Sequence, residues 1–240
     1  MILRDISFDD PRKNILFDDV LLTLAETGRM GESLRFWESG RIFIVLGRIG
    51  KEQEDIKVQA VCEDHVPVLR RSSGGGTVLQ GPGCLNYAFI LEKARHPEIN
   101  DLRKSYRFIL GKVQQALERS GMKADFQLLS DLSVGEDARK FSGNAQRRGK
   151  NFILHHGTIL YDFNLALIEK YLAIPKDIPE YRKARAHGEF VINIPVAPRR
   201  FKSALAEIVE IDETNTQMSP DEQECLDGFL KTRQTVVDLG

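Results

Sequence analysis

Three consecutive glycines, Gly74-Gly75-Gly76, constrain this 240-residue chain more than any other feature. Glycine loses more backbone freedom on folding than any other residue, so a run of three is costly unless something must approach the backbone closely. The run lies inside Arg70-Arg71-Ser72-Ser73-Gly74-Gly75-Gly76-Thr77-Val78, between apolar stretches at Val66–Arg70 and Thr77-Val78-Leu79. A strand leading in and a strand leading out predict a tight, structured turn rather than a floppy loop. Several N–H groups converging in such a turn form a concavity for phosphate or carboxylate oxygens. The two arginines before it carry guanidinium forks that match the same anions. The spacing is neither GxxxxGK[ST] nor GxGxxG, so neither of those nucleotide folds is implied.

The flanking segments alternate between helical and extended patterns. Leu16, Val20 and Leu24 predict an amphipathic helix over residues 14–27. Leu34–Trp37 and Ile42–Leu46, split by Ser39-Gly40, read as a β-hairpin. Residues 55–63 suggest a short helix. Apolar residues at 102, 106, 109, 110, 113 and 117 give the clearest helix of the chain, and 132–161 breaks into short strand-like runs. Short helices follow at 165–171 and 201–209. Ser219-Pro220-Asp221-Glu222 combines an N-cap, a proline at the first helical position and a capping-box glutamate, so a last helix spans about 219–232. Asp212–Met218 reads as a linker that lets this helix pack loosely. Strands and helices in irregular order indicate an α+β, or mixed α/β, fold.

Three further segments carry chemistry. Arg139-Lys140-Phe141-Ser142-Gly143-Asn144-Ala145-Gln146 sets a lysine beside small residues, where an ammonium can face a narrow pocket and neutralise phosphate or the charge of acyl transfer. His155 and His156 are adjacent in a predicted strand and point to opposite faces. That argues against a two-histidine metal pair and predicts one histidine in the core with the other orienting a loop. Asn86, after a Gly-Pro-Gly turn, is placed to donate to a ligand, and Cys84 reads as a small buried hydrophobe. No Ser-His-Asp order or nucleophile elbow is visible in the sequence.

The 34 basic and 35 acidic residues leave a net charge of −1, which argues against a nucleic-acid binder. No apolar run approaches the ~20 residues of a membrane span, and the first residues lack a signal-peptide core. Cys62, Cys84 and Cys225 are scattered and odd in number, which points to a reducing cytoplasm and against a disulfide framework or a zinc site.

Together these segments resemble the lipoate-protein ligase and octanoyltransferase superfamily, which also includes the biotin ligases. Leu34-Arg35-Phe36-Trp37 with Val45-Leu46-Gly47-Arg48 is similar to its early hairpin, and Arg70–Val78 with Leu85-Asn86-Tyr87 to its signature loop and following strand. Lys140 stands in the family's Lys-x-Ser-Gly-x-Ala-Gln context, and His155-His156-Gly157-Thr158 completes the set. The resemblance covers about residues 14–209. It implies a mixed β-sheet flanked by helices, related to class II aminoacyl-tRNA synthetases, with residues 1–240 as a single catalytic domain and no large accessory domain. It implies an ATP-dependent ligase that converts lipoate to lipoyl-AMP and passes the acyl group to a lysine of a lipoyl domain or an H-protein-type carrier, with Mg2+ accompanying ATP. By this resemblance Lys140 is catalytic, and Arg71, Ser72, Gly74, Gly75, Gly76, Thr77, Val78, Leu79 and Asn86 join it around the acyl-adenylate. Arg70, Ser142, Gly143, Ala145, His156 and Gly157 are assigned to the acyl pocket, and no residue to a metal. A separate accessory subunit for adenylation stays open, as does octanoate in place of lipoate. One alternative is a transferase that moves an octanoyl or lipoyl group between carrier proteins without ATP. Transferases of the cysteine type carry their nucleophile just before the family lysine, where residues 129–137 hold no cysteine. Another is a non-catalytic module that binds acyl carriers. The glycine-arginine cluster of biotin ligases is absent, with only Gly47-Arg48 in a different context.

Overall fold

The computed structural model describes residues 1–128, 130–176 and 178–239. Leu129, the first residue of the cysteine-free stretch before Lys140, lies outside the described residues. Strand β1 (Ile2–Asp5) leads into helix α1 (Pro11–Glu26), which begins one turn earlier than the apolar spacing predicts. Asp10 caps it through the Arg12 amide and Pro11 takes the first turn. Strands β2 (Ser33–Trp37) and β3 (Phe43–Leu46) follow, then helices α2 (Glu52–Asp55) and α3 (Val58–Glu63). Next come β4 (Val68–Arg70), β5 (Val78–Gln80), β6 (Cys84–Glu92) and helix α4 (Leu102–Arg119). Strands β7 (Asp125–Gln127), β8 (Asp131–Val134), β9 (Arg139–Arg148) and β10 (Phe152–Leu160) form a meander. Helices α5 (Ala166–Tyr171), α6 (His187–Phe190) and α7 (Pro198–Ile208), strand β11 (Glu213–Asn215) and helix α8 (Pro220–Thr232) complete the chain.

Eight strands form one mixed sheet in the order β11-β1-β2-β6-β10-β9-β8-β7, with β1 parallel to both its neighbours and the other pairs antiparallel. Its central strands are buried on both faces, because side chains alternate across the pleat and both faces carry helices. On β6, Tyr87, Phe89 and Leu91 pack under α4 and α7, while Ala88 and Ile90 pack under α1 and α8. The expected mixed sheet flanked by helices is what the chain forms.

The predicted hairpin between β2 and β3 does not exist. β2 pairs with β1 and β6 in the large sheet, whereas β3 is the middle strand of a second, three-stranded sheet ordered β4-β3-β5. β1 takes the place beside β2 that the hairpin partner would have filled. The linker expectation also fails. Residues 213–215 pair with β1, and α8 packs tightly against α1, with Leu226 fully buried and Glu222 paired to Arg4 at 2.9 Å. The α8 cap itself is as predicted: Ser219 Oγ accepts from the Glu222 amide and the Glu222 carboxylate accepts from the Ser219 amide. Among the described residues no helix is long and apolar enough to cross a membrane.

Candidate active site

The glycine segment is not a tight turn. β4 and β5 lie on opposite sides of β3, so residues 71–77 arch over the end of that strand. The arch is nonetheless fixed. Arg71 is buried and fills it from inside: its guanidinium donates to the carbonyls of Gly74 (2.6 Å) and Gly76 (2.8 Å) and to Ser73 Oγ (2.9 Å). Burial lowers the Arg71 pKa to about 10, still charged at neutral pH. Gly75 has φ +85, where a side chain would be strained and its Cβ would stand 3.0 Å from an Arg71 nitrogen. Gly47, at the end of β3, is equally required, since a Cβ there would overlap the Gly75 carbonyl. Among the described residues, the amides of Gly74, Gly75, Gly76 and Thr77 donate to no protein acceptor. Of these four residues Gly75, Gly76 and Thr77 line the adjoining cavity, so their free amides are available to a bound anion.

The arch borders a cavity of about 320 Å3, within the range of small-molecule sites. Gly75, Gly76, Thr77, Val78, Leu79, Arg71 and Asn86 line it, as do Lys140, Ser142, Gly143, Ala145, His156 and Gly157. Three of the expected residues do not reach it. Arg70 turns away and donates to the carbonyls of Gly47 and Gly50 and to Glu52. Ser72 bonds Asp19, and Gly74 shows the cavity none of its atoms. The expectation of two arginine forks at one anion is therefore corrected for Arg70, while Arg71 stands in the cavity wall. Both guanidiniums spend donors on the chain itself, but Arg71 still lines the cavity together with the arch and Lys140.

Lys140 rises from β9, with its side chain passing over Gly143. A Cβ at 143 would stand 3.1 Å from the ammonium, which accounts for the Lys-x-Ser-Gly spacing. Its Nζ pairs with Asp131 Oδ1 at 2.9 Å, and Tyr181 donates to the other Asp131 oxygen at 2.7 Å. Sequence reading missed Asp131, because a single aspartate in a short strand carries no local signal. It missed Asp18 and Asp19 too, although two carboxylates in the apolar run Leu16–Leu22 of a helix were a signal to follow. Both are buried.

The two histidines divide as predicted. His155 is fully buried between Tyr87 and Tyr106, and burial holds its pKa at about 3. Gln146 donates to its Nδ1 (3.0 Å) and its Nε2 faces Asn144 Oδ1 (3.3 Å), so it is a neutral spacer. His156 faces the cavity and its Nε2 accepts from Ser73 Oγ at 2.7 Å. Gly157 is obligatory, since a Cβ there would overlap Asn144 Oδ1, which already accepts from the Tyr87 hydroxyl.

Much of the remaining wall is apolar, although Asp18, Asp55, Asp131, Arg182 and His187 also line it. Ile15, Trp37 and Val45 come from one hydrophobic cluster, and Ile168, Leu172 and Phe190 from another. Cys84 also touches the cavity, but it is fully buried, its thiol donates to Gln80 Oε1, and burial pushes its pKa far up. Such a thiol is not a nucleophile. Asn86 likewise donates to Gln80 Oε1, at 2.9 Å. An apolar wall beside the arch and the Lys140 ammonium suits a ligand with a hydrophobic body and an anionic head.

Known proteins match this description. The sequence profile of the lipoyl protein ligase A/B catalytic domain matches residues 10–209. A probable lipoate-protein ligase A of Mycoplasma pneumoniae is 31% identical over 166 residues, 69% of this chain and 47% of its own length. The chain spans about half the length of the curated relatives it matches. Among solved structures, a chain from the Thermoplasma acidophilum lipoylation system, described as a bi-partite lipoate protein ligase and its E2 lipoyl domain, superposes with a TM-score of 0.80 at 20% identity, covering 97% of this chain and 92% of that one. A lipoate-protein ligase A bound with ATP superposes with a TM-score of 0.79 at 19% identity, covering 96% and 94%. At these identities the structural likenesses speak for the fold.

Proposed function

The chain belongs to the lipoyl protein ligase A/B catalytic domain family, and on that premise we propose that it activates lipoate with ATP and transfers the lipoyl group to a lysine of a carrier domain. The observation that carries this reading is the placement of Lys140 and the glycine arch on one cavity that also has a large apolar wall from Ile15, Trp37, Val45, Ile168, Leu172 and Phe190. The dithiolane and alkyl chain of lipoate suit the apolar walls, and the carboxylate suits the cationic side. In the first step a carboxylate oxygen attacks the α-phosphorus of ATP, a new P–O bond forms, and the bond to pyrophosphate breaks. In the second, the neutral ε-amine of the carrier lysine attacks the acyl carbonyl carbon. The C–O bond to AMP breaks and the amine loses a proton to solvent.

We assign the amides of Gly75, Gly76 and Thr77 to the adenylate phosphate, and Lys140 to both that phosphate and the acyl carbonyl. Removing one such donor typically costs roughly 3 kcal/mol of transition-state stabilisation. Among the described residues no three acidic, histidine or cysteine side chains gather as a metal cage. Magnesium would arrive with the nucleotide, held by phosphates and one or two carboxylates such as Asp55 or Asp131 on the cavity wall. The carrier is proposed to be a lipoyl domain or an H-protein-type domain, and residues 1–240 to act as one catalytic unit with or without a separate accessory subunit.

The test is isotope exchange between pyrophosphate and ATP. The ligase reading expects exchange that depends on lipoate. Acyl transfer between carrier proteins with no such exchange would replace it with the transferase reading.

A further inference from the structure

The glycine arch is held from below by two adjacent acidic residues of α1, one for each of its two serines. Asp19 accepts directly from Ser72 Oγ. Its carboxylate also pairs with Arg147 at 2.7 Å and with Arg233 at 3.0 Å, which fixes it in place. Asp18 reaches Ser73 through one intermediate. His156 Nδ1 lies 3.3 Å from Asp18 Oδ2, and His156 Nε2 accepts from Ser73 Oγ at 2.7 Å. The other Asp18 oxygen accepts from the buried Arg35 at 2.6 Å.

We propose that Asp18 and Asp19, with His156 as the link to Ser73, are positioning residues that hold the Ser72-Ser73 end of the arch so that its glycine amides stay convergent on an anion. A run of three glycines is expensive to order, and its amides are useful only if that cost is met before the ligand arrives. Two anchors at consecutive residues, set immediately before the glycines, restrict the segment where its freedom is greatest.

Asp18, His156 and Ser73 have the connectivity of a Ser-His-Asp triad, but they do not form a nucleophile. Ser73 is 1% exposed. Its oxygen already accepts from Arg71 Nε, and it is not among the residues that line the cavity. An acyl carbon has no path to it. The serine is a latch.

The functional half of this inference rests on the ligase reading, and the structural half does not. The test compares Ser72→Ala, Ser73→Ala and Asp19→Asn with the wild-type chain. Asp18→Asn is set aside because it would strand the buried Arg35 without its counter-charge. Backbone 15N order parameters at Gly74, Gly75 and Gly76 should fall from about 0.85 to below about 0.6 in the serine variants, with other amides unchanged. The KM for ATP should rise about 10-fold while the KM for lipoate and kcat stay within about 3-fold, and Ser73→Thr should restore the wild-type values. Unchanged glycine order parameters would overturn the anchor. So would an acyl group found on Ser73 by mass spectrometry, or a loss of order spread over the whole chain. A wild-type chain that shows no lipoate-dependent exchange would sink the ligase reading, and the order parameters alone would then decide the anchor.

Discussion

Replacing Lys140 by alanine separates chemistry from fold. The side chain is about one-third exposed, and among the described residues it pairs with Asp131, which keeps the Tyr181 hydroxyl as a partner. Losing a partly exposed pair of this kind costs at most about 1 kcal/mol. The melting temperature of a 240-residue chain should therefore fall by no more than ~4 °C. Loss of a cation from the charged end of the cavity should instead remove roughly 3–4 kcal/mol of transition-state stabilisation, a 10²- to 10³-fold drop in kcat/KM. The assay is modification of a purified lipoyl domain followed by intact mass, with thermal unfolding in parallel. Lys140→Arg is the informative companion. It keeps the charge, but its planar fork must pass over Gly143, where there is little room, so it should recover only part of the rate. Activity of Lys140→Ala within 5-fold of wild type would refute the argument, as would a collapse of the melting temperature, which would make the lysine structural.

Gly75→Val places a branched side chain at φ +85 and against Arg71, so adenylate binding should weaken more than about 10-fold; unchanged affinity by calorimetry would remove the amide nest from the reading. His155 is held neutral in the fold with a pKa near 3, whereas unfolding returns it to about 6.5. The unfolded chain thus binds the extra proton, and stability present above pH 6.5 declines by about 1.4 kcal/mol per unit as the pH falls toward 3. His155→Gln should flatten the denaturant-measured slope between pH 5.5 and 4.5 by that amount, and an identical slope in the variant would refute the assignment. Triple Cys→Ser at Cys62, Cys84 and Cys225 should keep transfer activity, with some stability lost at buried Cys84; a thioester on any of the three would favour the transferase.

The sequence exposed the parts of the site that rest on local rules. The glycine run, the Lys-x-Ser-Gly spacing and the opposed histidines follow from backbone freedom and strand periodicity, and each stands in the cavity wall or directly behind it. Partnerships between distant segments were not legible. Ser39-Gly40 looks like a hairpin turn from its neighbours alone, and only the pairing of β1 with β2, a parallel match across some thirty residues, shows why β3 must leave for another sheet. The place of Arg70 was hidden for the same reason. Arg70 and Arg71 match an anion by type, but Arg70 donates to the Gly47 and Gly50 carbonyls and Arg71 to those of Gly74 and Gly76 in the arch. Asp131 reaches Lys140 from the preceding strand, and no spacing rule anticipates that pair.

Residues 233–237 run alongside the outer strand of the small sheet. The Arg70 amide donates to the Thr235 carbonyl, Val236 sits opposite Leu69, and the Val237 amide donates to the Val68 carbonyl. Without that cover β4 would be an open sheet edge, with unpaired amides and carbonyls leading straight into Arg71. Open edges recruit other chains. A cut after Thr232 would therefore do more than shorten the chain: it would free the strand that feeds the arch to pair with its counterpart in a second molecule, and preparations shortened in this way should precipitate while the full chain stays dispersed.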